Sequence, residues 1–232
     1  MPPVYDTNRA AGYDAHVRRI SPGYDVLHDH VARLLLDALE PTAHILVVGA
    51  GTGAEIERLG LAAPGWRFTA VDPSPDMLAV CQARAKAAGL SNRVSTVTGT
   101  TEAAPDGPYD AATSICVAHF VLEAKARAQY FQAIAERLRP GAPLIHADLF
   151  RPTDDAATLE LLMSVWRRSV LSAGMSGEDA DAFFGRVESM VCLADEATLA
   201  QEFAAAGFGP RTRFHQSLLW GGWLARRAGE GA

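Results

Sequence analysis

The sequence predicts a doubly wound α/β fold, on three observations. Apolar runs of strand length alternate with amphipathic stretches of helix length, in the order β-α-β-α-β with short connections, which lays the strands parallel in one sheet. The first run, within ILVVGAGTG at 45–53, ends in a turn with glycine at alternate positions, Gly49, Gly51 and Gly53. The last two strand-like runs are joined too closely for a crossover helix, so they pair antiparallel.

Residues 1–20 are polar and carry two Tyr-Asp pairs, Tyr5-Asp6 and Tyr13-Asp14. Residues 1–23 read as an arm or lid, 24–226 as the main domain and 227–232 as a tail. From Tyr24 to Leu39, Leu27, Val31, Leu34, Leu35 and Ala38 recur at helical spacing, and Pro41 ends that helix. Ile45 to Val48 shows no polar alternation, as expected of a parallel strand covered on both faces. Ala54 to Leu61 reads as a helix whose N-terminus would aim free amides at the glycine turn. Trp66 to Asp72 is a second strand, rich in aromatic and β-branched residues, that ends on an acid. Asp72 lies about twenty residues past the glycine turn, the spacing of a ribose-binding acid. Ser74-Pro75 should start the next helix, with Met77, Leu78 and Cys81 on one side and a stop at Gly89. Val94 to Thr98 is a third strand, with Thr100 and Thr101 at the carboxyl edge where ligands bind in open α/β sheets.

Tyr109 to Val117 reads as the fourth strand, leaving Cys116, Val117, Ala118 and His119 at its carboxyl end. Ala124 to Leu138 is helical, Pro140-Gly141 stops it, and Pro143 to Phe150 forms a fifth strand ending near His146 and Asp148. Residues 151–193 break the alternation with two successive helices, Asp154 to Ser172 and Gly177 to Met190. A helical insertion there would cover the ligand crevice as a substrate cap. Asp195 to Ala206 is a further helix, and Pro210 to Gln216 with Leu218 to Arg226 form the final pair.

The 232 residues, 49% of them hydrophobic, suit one well-cored domain rather than two. A net charge of −6 without a Lys/Arg cluster disfavours nucleic acid as a partner, though a patch assembled in three dimensions stays open. Cys81, Cys116 and Cys192 are odd in number and scattered, which reads as reduced thiols. The N-terminus lacks a signal-peptide shape, and no apolar run approaches the ~20 residues of a membrane span. The expectation is a cytoplasmic protein with no membrane partner.

Taken together, these pieces resemble the class I S-adenosylmethionine (SAM) methyltransferases. VVGAGTG at 47–53, VDPSPDML at 71–78, YDAATSI at 109–115, LRPGAPL at 138–144 and the terminal pair carry the resemblance, across residues 24–226. It implies a Rossmann-like seven-stranded sheet, mostly parallel with the last strand antiparallel, and S-adenosyl-L-methionine as cofactor. It further implies that Gly49, Ala50, Gly51 and Gly53 pack against the amino-acid part of SAM and that Asp72 holds the ribose hydroxyls. Pro73 and Met77 would lie near the adenine, and Cys116 and Val117 beside the methionine portion. Thr100 and Thr101 stand where many members have an Asp and an apolar residue. The layout is most similar to the carboxy-SAM synthase group, through RRISPGYDVL at 18–27, the helical insertion and FHQSLLWGGWLARR near the end. That likeness implies a cofactor contact from Tyr24 and a homodimer. Cys116 stands where that group places an Asn, and Arg186 only approximates its Arg, so plain methyl transfer is preferred.

The SAM methyl is already activated by the sulfonium, so the protein must align donor and acceptor and at most remove a proton. This is why no metal or nucleophile triad is called for, and no HExxH, CxxC or GxSxG motif occurs. His119, joined by His146, is the candidate base. Trp166, Phe183 and Phe184 read either as core or as an acceptor pocket. A small molecule is the expected acceptor. Competing readings are a carboxy-SAM synthase-like or tRNA-modification enzyme, a SAM-binding protein without catalysis, and a nicotinamide dehydrogenase. The last fits GAGTGA at 49–54, but no separate catalytic domain follows it.

Overall fold

A computed structural model describes residues 7–229; Tyr5-Asp6 and the last three residues lie outside the described residues. Helices α1 (Thr7–Ile20) and α2 (Tyr24–Ala38) lead into β1 (His44–Val48), α3 (Ala54–Ala62), β2 (Arg67–Asp72), α4 (Pro75–Ala87) and β3 (Val94–Thr98). Then come β4 (Ala111–Ile115), α5 (Ala124–Arg137), β5 (Pro143–Leu149), the pair α6 (Ala156–Ser172) and α7 (Gly177–Met190), α8 (Glu196–Ala205), β6 (Thr212–Ser217) and β7 (Trp220–Arg226). The seven strands run in the order β3-β2-β1-β4-β5-β7-β6. All neighbours are parallel except β7, which is antiparallel to both β5 and β6.

β1 shows why its run is uniformly apolar. Ile45 and Val47 enter one core cluster with Leu27, Val31 and Leu35 of α2 and Ile56 and Leu59 of α3. Leu46 and Val48 face the opposite cluster, with Phe131 and Ile134 of α5 and Phe203 of α8. Successive residues of a strand point to opposite faces, and here both faces are covered. The strand order reverses between β1 and β4, so the crevice expected of such a sheet opens at their carboxyl ends.

Two segments differ from the sequence reading. The first is the N-terminal arm, which within the described residues is the helix α1. Its end is tied down by the Trp166 indole, which donates to the Ile20 carbonyl over 2.6 Å. The second is β4, which stops at Ile115 instead of Val117. Cys116 turns into the left-handed region at φ 61°, which ends the extended backbone. Helices α6 and α7 form a core of their own over the end of β5, with Trp166, Val170, Phe183, Phe184 and Val187 packed on Leu149 and Trp220. Among the described residues no helix is long and apolar enough to cross a membrane.

Candidate active site

The glycine turn is shaped by close approach. Gly49, Gly51 and Gly53 have φ of 67°, 52° and 75°, where a side chain is strained. A Cβ on Gly49 would fall 2.3 Å from Val117 Cγ2, and one on Gly53 would fall 2.6 Å from Cys81 Sγ. Gly51 differs: its nearest neighbour would be Met77 Cε at 3.4 Å, in ordinary contact. Most of the turn's amides are taken up within the protein. Gly49 N and Ala50 N donate to the Val71 carbonyl, Gly53 N to the Ala50 carbonyl, and Gly51 N to Asp72. Close contact with Val117, just after β4, and with Cys81 of α4 therefore explains two of the glycines, and Gly51 is the one with space beside it.

Asp72 ends β2 beneath that space. Its Oδ2 accepts from Gly51 N and its Oδ1 from Ser74 N, each over 2.9 Å. Burial raises its pKa, and the two amides oppose that shift. Each oxygen keeps a second lone pair, so the carboxylate can both brace the turn and accept from a sugar. Ser74 caps α4 as the sequence indicates, accepting from Met77 N over 3.2 Å. Pro73 is exposed and Met77 buried. Thr100 is exposed, and the buried Thr101 hydroxyl lacks a hydrogen-bond partner.

Around the end of β4 lie Cys116, Val117, Tyr24, Thr113 and Glu55. Burial and then the charge of Glu55 push the Cys116 thiol up to about 12. The Tyr24 phenol is likewise raised, first by burial and then by the fields of Cys116 and Glu55. Glu55, in the first turn of α3, is itself raised to about 7 by desolvation, a shift that the neighbouring Thr113 opposes.

His119 sits in the short 3-10 turn Ala118–Phe120 after β4. Its Nδ1 meets Asp148 Oδ1, and its backbone N donates to Asp148 Oδ2 over 2.7 Å. Arg127 holds the same turn from behind. It donates to the Ala118 carbonyl over 2.6 Å and makes a bidentate pair with Glu202 at 2.7 and 2.9 Å. Burial, then the Arg127 charge, lower the His119 pKa to about 3, which keeps the imidazole neutral at neutral pH. With Nδ1 held by Asp148, Nε2 is the ring nitrogen left for the cavity that His119 lines.

That cavity has a volume of about 440 Å³. Its walls are Tyr13, His16 and Val17 of α1, Phe183, Arg186 and Val187 of α7, and Cys116, His119, Phe120 and Trp220. Arg186 is exposed. Asp14 of α1 joins this wall to the glycine turn, accepting from the Thr52 hydroxyl over 2.6 Å and pairing with Arg84. Of the three aromatic candidates Phe183 lines the cavity, whereas Trp166 and Phe184 pack behind it in the α6–α7 core.

His146 is not brought to the cavity. Its ring is fully buried among Phe131, Phe203 and Trp223, and its Nε2 is 3.9 Å from Asp148 Oδ2, beyond hydrogen-bond reach. Residues 146 and 148 share one face of β5 by strand alternation, but only Asp148 lies far enough along to meet His119. The sequence reading gave Asp148 no role, nor Glu55, nor the Arg127–Glu202 pair. Asp148 had a signal: an acid at the carboxyl end of the strand beside the one that carries the histidine.

The residues fit a SAM-type ligand. Gly51 leaves space, Asp72 keeps acceptor capacity, and Glu55 Oε1, Thr101 Oγ1 and Thr113 Oγ1 are buried without partners. Residues 45–141 match a family described as a methyltransferase domain. Over 206 residues the chain is 29% identical to the ubiquinone/menaquinone biosynthesis C-methyltransferase UbiE of Paracoccus denitrificans, covering 82% of this chain and 80% of that protein. It is 25% identical over 221 residues to the carboxy-S-adenosyl-L-methionine synthase of Aeromonas hydrophila, covering 93% and 87%. Among solved structures, an O-methyltransferase family protein from Burkholderia thailandensis shares the fold with a TM-score of 0.67 at 15% identity, over 98% of this chain and 62% of that one.

Proposed function

We propose that this chain, which carries a class I SAM-dependent methyltransferase domain, methylates a small, largely apolar acceptor in the cavity between α1 and α7, with His119 as the base. The observation that carries the reading is the His119–Asp148 pair at the wall of that cavity. SAM, when bound, supplies an electrophilic methyl group. Gly49, Ala50, Gly51 and Gly53 would shape its seat, Asp72 would take the ribose, and Pro73, Met77, Thr100 and Thr101 would border the adenine. Tyr24, Cys116 and Val117 would border the methionine portion.

His119 is placed to take a proton from an acceptor, and Asp148 must offset the burial and the Arg127 charge that make the free ring a weak base. Its neutral ring offers the Nε2 lone pair. Asp148 holds Nδ1–H, which fixes the tautomer and compensates the imidazolium once the proton arrives. A placed base of this kind contributes roughly 10²–10⁴-fold. Helix α1 acts as a lid latched by Asp14, and residues 151–193 act as the substrate cap. Both keep water from the reacting centre. An apolar cavity also agrees with the relative named for quinone C-methylation. The three free cysteines suit a cytoplasmic setting.

The test is a labelled-methyl screen with [methyl-³H]SAM against phenols, enolisable carbonyl compounds, amines and RNA. Transfer to a small acceptor, lost in His119→Ala while S-adenosylhomocysteine binding is kept, is the expected result. Full turnover in His119→Ala would remove the base from the mechanism. Transfer to RNA alone would overturn the acceptor class.

A further inference from the structure

Glu55 carries the only carboxylate oxygen among the described residues that is buried without a hydrogen-bond partner. Its side chain belongs to the first turn of α3, directly after the glycine turn. Thr113 of β4 lies beside it, and its hydroxyl is also buried without a hydrogen-bond partner. The titratable groups that feel its charge are Tyr24 from α2 and Cys116 from the end of β4. None of these supplies a cation. A buried carboxylate left unpaired is costly, so such a group is kept for a partner that arrives later. The partner must be cationic and must reach the point where α2, α3 and the end of β4 converge.

We propose that Glu55 is the counter-ion for the α-ammonium group of SAM. This rests on the proposed cofactor seat, which puts the amino-acid part of the ligand between Gly51 and Cys116. The ammonium donates to Glu55 Oε1, with Thr113 beside it to steady the carboxylate. The free site holds Glu55 near its titration midpoint at neutral pH, about 7. An ammonium partner favours the ionised form, so binding at pH 7 releases roughly half a proton.

Calorimetry on the full chain tests this with S-adenosylhomocysteine, SAM and 5′-methylthioadenosine, which lacks the ammonium. Glu55→Gln keeps the shape and removes the charge. The variant is expected to bind S-adenosylhomocysteine and SAM roughly 10- to 100-fold more weakly, the range for a lost charge-assisted bond. Methylthioadenosine should bind both proteins alike, which also reports an intact seat. The proton release, read as a dependence of binding heat on the buffer's ionisation enthalpy, should vanish in the variant. Equal affinity of variant and wild type for S-adenosylhomocysteine overturns the proposal. So does a loss confined to SAM, which would assign Glu55 to the sulfonium, and so does an equal loss for methylthioadenosine. Wild-type protein that binds neither SAM nor its demethylated product overturns the cofactor seat itself, and this proposal with it.

Discussion

The two walls of the site are built differently. The glycine-turn side is held by backbone: Gly49 and Ala50 amides on Val71, Gly51 on Asp72, and an N-cap at Ser74. The cavity side is held by side chains from α1, α7, β5 and β7, packed on a separate core around Trp166 and Trp220. Backbone bonds at a tight turn demand particular residue types at fixed spacing. Side-chain walls demand only bulk and apolarity. The difference predicts that changes on the first wall act through shape, and changes on the second through chemistry at His119.

The largest expected effect separates the two walls. Asp148→Asn should leave S-adenosylhomocysteine affinity within about twofold yet lower kcat by roughly 10²–10⁴-fold, because the amide no longer compensates an imidazolium. Single-turnover rates alongside calorimetry would show the split. A parallel loss of cofactor affinity would mean that the two walls are not independent.

Acid should weaken the chain through its buried rings. His28, His119 and His146 are lowered to about 4, 3 and 3 by burial. A histidine whose folded pKa lies below its unfolded value adds stability that is complete above the unfolded pKa and is lost as pH falls below it. Each should cost about 1.4 kcal/mol per pH unit below ~6.5. Glu55 and Asp72, both raised, run the opposite way and offset part of the loss. Unfolding in urea from pH 7.5 to 5 should therefore show falling stability, and His146→Leu should remove one histidine's share of the slope. It should also leave kcat near wild type, since that ring does not reach the cavity. An unchanged slope in His146→Leu would contradict its buried neutral state.

What the sequence made legible follows the same division. Gly49, Gly51, Gly53, Asp72 and the Ser74 cap are local features, and so are the strands of the parallel sheet. The seven-stranded sheet with its antiparallel last strand came from a likeness spread over several such local motifs. Asp148 and the cavity walls are not local. The Trp166 indole meets Ile20 across 146 residues of sequence, and Asp148 meets His119 across 29. His119 lies past the end of β4, whereas His146 is the fourth of the seven residues of β5. Only the pairing of β4 beside β5 puts one ring in the cavity and the other in the core.

Glycine substitutions sharpen the contrast to its smallest measurable effect. Gly49→Ala places a methyl 2.3 Å from Val117 at a φ of 67°, so it should destabilise by about 2–4 kcal/mol and weaken S-adenosylhomocysteine binding. Gly185 of α7 has nothing within 4 Å of the position its Cβ would take, and its φ is not in the left-handed range. Gly185→Ala should then stabilise α7 by about 0.5–1 kcal/mol, the ordinary helix-propensity gain, with kcat and KM unchanged. Chemical unfolding of both variants reads the two signs in one experiment. A destabilised Gly185→Ala would mean that α7 relies on backbone fit as the glycine turn does, and the distinction between the walls would fail at that point.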